Sequence, residues 1–440
     1  MSVAYASTPV GHRLALAPAA RLAVFMRALH TAVGVFVAPL LLIAAVTGLA
    51  YAATPQLEAW WYAPANEAAP ATNGQPALPL ARQIARASAT LAGSAEPGAV
   101  RPGQPGGQTT RVMFARPGAA PNVTTAVFVD PTSGRVTGQL AAYGTSGTLP
   151  IRRIIDQLHR SLLLGSVGRL YSELAASWLG VAALGGVWLW WRRRAARASR
   201  SAPRRWHQRA GPWLAIGLIG FSVTGLTWSQ FAGQQIGVLR VWAGWQTPAL
   251  AAHEHGGMTG ETAPTSRATY DRMLAVARAH GLTAERIEIR PPAGAGAIWT
   301  VAEIDRRWPS QVDRIAVDGP SGRVVDESRF EDYPIAAKLT RWGIDAHMGV
   351  LFGLVNQLVL GVFAVGLIGL VGLGWAGLAR GRRAGPRITL WQSLAGLTRG
   401  QQLGLLAAFV PLAVLLPVWA ASCPVLIVLD AAAGRLGRRG

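Results

Sequence analysis

Cysteine is almost missing from this sequence. The single one, Cys423, lies in the last apolar stretch, which excludes an intramolecular disulfide, a CxxC metal knot and a CxxCH haem attachment, so any haem must be held non-covalently. Acidic residues are scarce as well, 21 against 42 Lys and Arg. All of them except Glu173 and Asp430 fall in two segments, 53–158 and 232–346, so the apolar runs hold almost none of the carboxylates that an ion-transport path wants. Glu173, close to Arg169 near a span end, is the nearest approach to one. No strand-linked GxGxxG and no P-loop occur, so no flavin or nicotinamide motif is evident. The Gly-rich run "GLIGLVGLGWAGLARG" falls inside an apolar span, where close helix packing explains it. The N-terminal 26 residues lack a cleavable signal pattern, and the first span is expected to be retained as an anchor.

What is abundant is apolar surface. Half of the 440 residues are hydrophobic, 17 are Trp, and the mean hydropathy is +0.28, all pointing to a membrane protein in the lipid bilayer. The net charge of +21 does not point to nucleic acid, because the arginines concentrate in short loops such as "RRRAARASRSAPRRWHQR" and "ARGRRAGPR". Short basic loops mark the cytoplasmic side. The expected organisation is a cytoplasmic N-terminus (1–28), a first span (29–52), an external domain (53–158), an external histidine segment with the second span (159–191) and a basic cytoplasmic loop (192–210). A third span (211–231), a second external domain (232–346), a fourth span (347–378), a cytoplasmic loop (379–402), a fifth span (403–429) and a tail (430–440) follow. The fifth span conflicts with the charge rule, since it would put the basic tail "GRLGRRG" outside.

The chain repeats itself. "HTAVGVFVAPLLLIAAVTGLAY" from His30 aligns without gaps with "HQRAGPWLAIGLIGFSVTGLTW" from His207, an offset of 177. "VDPTSGRVTG" (129–138) aligns with "VDGPSGRVVD" (317–326) at an offset of 188, and the same offset pairs His159 with His347. Each copy reads span, external domain, span, so both have the same orientation. In each external domain the signature reads strand, Ser-Gly turn, strand, after a helix-like stretch ("LPLARQIARASATL" and "TYDRMLAVARAHG"). The fold class is therefore an all-α membrane core of four helices in a duplicated arrangement, plus a fifth C-terminal span, with two small α+β external domains.

Topology sorts the histidines. His30 and His207 head spans one and three on the cytoplasmic side, and His159 and His347 precede spans two and four on the external side. Paired histidines from facing helices are what axial ligation of haem iron requires, and two pairs suit two haems. Gly34 and Gly211 follow the first two histidines by one helical turn, where missing side chains let a flat macrocycle approach or let helices pack closely. Thr47-Gly48 and Thr224-Gly225 lie about 25–27 Å further along each helix, level with the second pair. A proton path and a plain metal site are the alternatives for these histidines. His253, His255 and Met258 in "HEHGGM" offer imidazole and thioether to a soft metal such as copper, although their Gly-rich setting also suits a linker.

The motifs "RALHTAVG…VTGL", "DQLHRSLLLG", "RRWHQRAG…VTGL" and "DAHMGVLFG", with the paired V-D-x-x-S-G-R-V segments, resemble those of the PepSY-associated transmembrane-helix proteins over residues 20–380. The resemblance implies a bacterial inner-membrane protein with two periplasmic PepSY-type domains and, as in reductase members, two b-type haems. It implies that His30 with His207 and His159 with His347 are the ligands, and that ferric siderophores or other ferric chelates are reduced by electrons from a cytoplasmic reductant or a quinol. A haem-free PepSY scaffold that binds or inhibits a periplasmic partner is the alternative, and metal binding at 253–258 would favour a cupric substrate.

Overall fold

The structure is a computed structural model that describes residues 17–436 apart from 71–74, 92–95, 117, 121, 145, 194–200, 251–265, 293–297 and 382–387. His253, His255 and Met258 lie outside the described residues. In chain order the helices are α1 (Pro18–Phe36), α2 (Ala38–Ala52), α3 (Thr54–Trp61), α4 (Ala63–Asn66), α5 (Leu80–Ser88), α6 (Pro150–Ser161), α7 (Gly165–Arg193) and α8 (Ala202–Leu226). They continue with α9 (Ala232–Trp242), α10 (Ala268–Ala279), α11 (Ile335–His347), α12 (Gly353–Gly381), α13 (Leu390–Ala395), α14 (Arg399–Leu415) and α15 (Pro417–Leu436). Two compact units emerge, one of Met1–Leu49, Gln157–Ala243 and Leu358–Gly440, the other of Ala50–Asp156 and Gly244–Gln357.

The first unit is helical. Four helices are long and apolar enough to cross a membrane, Pro18–Phe36, Gly165–Arg192, Gly353–Arg380 and Pro417–Leu436, and Ala38–Ala52 with Thr54–Trp61 makes a fifth as a bent pair. The first span thus begins earlier than the apolar pattern indicates, so His30 lies inside α1 rather than at its mouth. Between α1 and α2, Pro39 supplies no backbone N–H, yet Val37 keeps right-handed helical angles; the helix is interrupted rather than ended. The indole Nε1 of Trp375 donates to the Gly34 carbonyl beside this break at 2.6 Å. Glycines bring α8 and α12 together, since a Cβ on Gly217 would run into Phe363 and one on Gly366 into Leu214.

The apolar run 403–429 is not one span. It forms two helices, α14 and α15, which break at Leu416 (φ −125°, ψ 68°) just before Pro417. Phe409 and Trp419 stack at 5.4 Å between ring centroids, although ten residues of straight helix would separate them by about 15 Å. Gln401 at the start of α14 donates to the Pro18 carbonyl, and Asp430 near the end of α15 accepts from Leu390 N–H at 2.6 Å. The chain therefore turns back on itself, and α14 begins where α1 begins. The carboxylate of Glu173, buried within α7, accepts from the N–H groups of Phe231 (2.8 Å) and Ala232 (2.9 Å) at the head of α9, while Arg169 donates to the Trp228 carbonyl. Both carboxylates of the helical unit thus satisfy orphan donors at helix N-termini, where the macrodipole favours negative charge.

The second unit contains one continuous antiparallel sheet of eight strands in the order β4-β3-β2-β1-β5-β6-β7-β8. Its strands are β1 (Pro97–Arg101), β2 (Thr110–Ala115), β3 (Val123–Val129), β4 (Val136–Tyr143), β5 (Ile287–Arg290), β6 (Ile298–Glu303), β7 (Arg314–Asp318) and β8 (Val324–Ser328). The two small α+β domains share this sheet: their edge strands β1 and β5 pair, Val100 opposite Ile289, which removes two unsatisfied sheet edges. Alternation sends Val100, Val112, Phe114, Ile287, Ile289 and Val301 to one face, where they form a single core with Ile84 of α5 and Met273 of α10. Arg101 spans the junction to Glu288, and Asp271 of α10 accepts from Leu80 and Ala81 N–H, capping α5 of the other half. The repeat holds in detail. Gly134 and Gly322 both turn at φ 71°, and register irregularities fall between Phe128 and Val129 and between Ala316 and Val317.

Candidate cofactor site

Helices α1 and α8 bring His30 and His207 together inside the helical unit. Their ring centroids are 6.0 Å apart with the planes at 78°, a separation that admits a single metal atom between two imidazoles, whose metal–nitrogen bonds run to about 2 Å. His30 Nδ1 lies 3.1 Å from the Ala182 carbonyl of α7, and His207 Nδ1 lies 2.9 Å from the Leu370 carbonyl of α12. A carbonyl only accepts, so Nδ1 carries the proton in both rings and Nε2 presents a bare lone pair. Such a hydrogen bond from the far ring nitrogen is what fixes the tautomer and orientation of a histidine that binds metal.

Two further glycines make the approach possible. A Cβ on Gly186 of α7 would stand 3.1 Å from His30 Cε1, and one on Gly374 of α12 would stand 3.6 Å from His207 Cε1. Sequence reasoning missed both, but the signal was present: Ala182 with Leu370 and Gly186 with Gly374 obey the same offset of 188 that relates His159 to His347.

A cavity of about 750 Å³ opens beside the pair, lined by both histidines, Gly34, Gly211, Trp190 and Trp375. A Cβ on Gly34 or on Gly211 would meet no other atom within 4 Å, so both face open space. The residues therefore fit a flat group with axial imidazole ligands, and Arg27, Arg204, Arg205 and Arg209 on the same lining supply cations for its acidic substituents. Among the described residues no three His, Cys, Asp or Glu side chains converge to hold a bare metal ion, which would want more protein ligands than two histidines.

On the other side of the sequence pattern, His159 of α6 meets Thr47 and Gly48 of α2. Thr47 Oγ1 donates to the Ile43 carbonyl at 2.7 Å and so accepts from His159 Nδ1 at 2.9 Å, again leaving Nε2 bare. A Cβ on Gly48 would lie 3.3 Å from His159 Cε1. Burial holds the His159 pKa down at about 4, which keeps the ring neutral and able to ligate. Thr224 spends its hydroxyl on the Gly220 carbonyl of its own helix at 2.7 Å, and Gly225 is half-buried beside it in α8. His347 closes α11 in the second unit. There Asp345, fully buried, pairs with Arg306 and Arg341, and Asn356 Nδ2 donates to the Ala346 carbonyl at 2.9 Å, pinning the helix end that carries the histidine.

Residues 27–378 match the family described as the PepSY-associated TM region, and the chain belongs to that family. No curated protein matches it.

Proposed function

We propose that this PepSY-associated membrane protein is an oxidoreductase of a bacterial inner membrane that delivers electrons outward to ferric iron held by an oxygen-donor chelate such as a siderophore. His30 and His207 would hold one haem b, and His159 and His347 a second. Haem, when bound, supplies a reversible one-electron Fe(III)/Fe(II) couple. The observation that carries this is the pair His30 and His207, 6.0 Å apart with both Nδ1 atoms tied to backbone carbonyls, next to a cavity with two glycines on its wall. The chain's own work is to keep each imidazole neutral, oriented and clear of neighbouring side chains. The Nδ1–H groups of His30, His207 and His159 are committed to fixed acceptors, and Gly186, Gly374 and Gly48 leave room for these rings.

The substrate gains one electron from a cytoplasmic reductant or a membrane quinol, and its Fe(III) becomes Fe(II). The lower-charged ion binds hard oxygen donors less tightly, and iron is released. Because α14 and α15 turn back, Arg435 at the end of α15 returns to the side where α1 starts, an arrangement compatible with the charge rule if that side is cytoplasmic.

The test is a dithionite-reduced minus oxidised spectrum with a pyridine haemochrome assay on detergent-purified protein, alongside His30→Ala and His347→Ala. Two haems b per chain are expected, falling to about one in each variant. Colourless wild-type protein would sink the oxidoreductase and leave a PepSY scaffold that binds a periplasmic partner.

A further inference from the structure

The second copy of the external fold carries a cavity that nothing above uses. It holds about 370 Å³ and is lined by Ser310, Asp313, Arg329, Phe330, Glu331, Lys338 and Trp342; the exposed Glu331 makes no ion pair with Lys338, to which it gives only its backbone carbonyl. Two of its lining residues, Phe330 and Trp342, are aromatic, and Trp308 and Phe352 extend the aromatic cluster beside it. Trp342 lies 5.3 Å from Trp308 and 5.8 Å from Phe330, centroid to centroid, and Trp308 stacks in turn on Phe352 at 6.1 Å. Trp308 and Phe352 are each 55% exposed, a large apolar area to leave in water.

The polar groups of the cavity are unevenly committed. Asp313 accepts from Phe330 N–H and pairs with Arg329, and Arg329 is bound further by Glu327 and the His280 carbonyl. Lys338 is different. Its ammonium donates to the Glu331 carbonyl at 2.7 Å and stands 6.0 Å from the Phe330 ring centroid, and among the described residues no carboxylate pairs with it. Two of its three donors therefore remain for a ligand. Among the described residues Ser310 Oγ and Trp342 Nε1 also find no hydrogen-bond partner. Lys338 is the sole lysine among 42 basic residues, placed at the one spot where a compact, mobile ammonium rather than a planar guanidinium meets this aromatic wall.

The duplication isolates the feature. At the offset of 188, Trp308, Arg329, Phe330, Lys338 and Trp342 correspond to Ala120, Ala141, Ala142, Pro150 and Ile154. The first copy builds the same strands and the following helix with none of these rings or charges, so the fold does not require them. A set of side chains that the scaffold can do without, grouped around one cavity and combining stacking faces with an uncommitted cation, is suited to an aromatic ligand bearing negative charge.

We propose that this cavity binds a planar aromatic anion, of the aryl carboxylate or phenolate class. The site stands independently of haem, and its test reads binding only. Full-length protein in detergent is titrated calorimetrically with 2,3-dihydroxybenzoate and, in parallel, with cyclohexanecarboxylate, which keeps the charge and lacks the aromatic ring. Lys338→Gln removes the charge from a half-exposed position, and Trp342→Ile installs the residue type of the first copy, with circular dichroism to verify its fold. Reductive methylation, which has Lys338 as its only lysine target, gives a second readout. The expected result is saturable binding of the aromatic acid, about tenfold weaker in each variant, little binding of the saturated acid, and protection of Lys338 by the aromatic probe. No saturable binding to wild type, equal binding of the two acids, or unchanged affinity in Lys338→Gln would each overturn the proposal while leaving the haem spectra to be judged separately.

Discussion

The two units treat the same duplication in opposite ways. In the helical unit the copies stay alike down to the groups that hold the imidazoles: His30 and His207, their carbonyl partners Ala182 and Leu370, and the clearing glycines Gly186 and Gly374 all correspond. In the sheet unit the copies share strands, turns and even register irregularities but diverge in side chains. Asp271 caps α5 across the junction, whereas its counterpart Gln83 bonds only to the nearby Leu78 carbonyl. Likeness persists at the histidine pair, where each copy holds its imidazole by the same kind of backbone contact. Where each copy can take a task of its own, it has drifted.

The largest effect should come from breaking the likeness at the grip. Gly186→Leu and Gly374→Leu are expected to displace His30 and His207 respectively, each removing about half of the haem measured by pyridine haemochrome. Alanine sharpens the comparison, because the copies differ by a few tenths of an ångström: a Cβ at Gly186 comes to 3.1 Å from its imidazole and one at Gly374 only to 3.6 Å. Gly186→Ala should therefore shift the absorbance and lower occupancy, while Gly374→Ala behaves as wild type. Gly369→Ala on the same helix, where the added atom meets nothing within 4 Å, is the control. Equal behaviour of the two alanine variants would show that these glycines do not set the position of the rings.

Breaking the asymmetry of the sheet unit should cost less. Asp271→Ala strands two N–H groups at the head of α5 and is expected to destabilise that unit by about 2 kcal/mol. Gln83→Ala removes one side-chain hydrogen bond and should cost about 1 kcal/mol or less. Denaturant melts followed by tryptophan fluorescence, with Tyr270, Trp299 and their neighbours in the shared core, would rank the two. A larger loss at Gln83 would mean that the capping across the junction does not hold the halves together.

Much of this was legible in the sequence, for reasons that differ by element. Apolar length marks membrane helices whatever they pack against, and the offset of 177 relates His30 to His207, whose rings lie 6.0 Å apart in the fold. The hairpin at Leu416 was hidden because a turn inside an apolar unit needs no polar residues, so 403–429 reads as one run. The pairing of β1 with β5 was hidden because edge strands carry no mark of their partner; Val100 and Ile289 look like any inward residues. Gly186 and Gly374 were visible in principle at the offset of 188, but only once α7 and α12 are aligned does their place opposite the histidines acquire a meaning. Lys338, the sole lysine of the sequence, was not singled out by sequence reasoning, because rarity has no chemical meaning until the fold sets the ammonium near Phe330.

The smallest effect expected is one of pH, at the pair of turns that the repeat places at Asp130 and Asp318. Burial would raise the Asp130 carboxyl, but the N–H groups of Ser133, Ala69 and Thr132 and the Ser133 hydroxyl overcome it and hold the pKa below the usual carboxylate range. Asp318, only half-buried, is held low by the hydroxyl and N–H of Ser321. A folded pKa below the unfolded value of about 3.9 means that the stabilisation is complete above that value and is lost as pH falls through the folded one. These two groups should leave the stability of the sheet unit flat through neutral pH and weaken it only in acid below about pH 4. Asp130→Asn should blunt the acid limb more than Asp318→Asn, since Asp130 alone also holds the Ala69 N–H, at 2.8 Å, and is buried. Thermal midpoints measured against pH for the two variants would decide it, and an equal or reversed ranking would mean that the buried turn is not the one that senses acid.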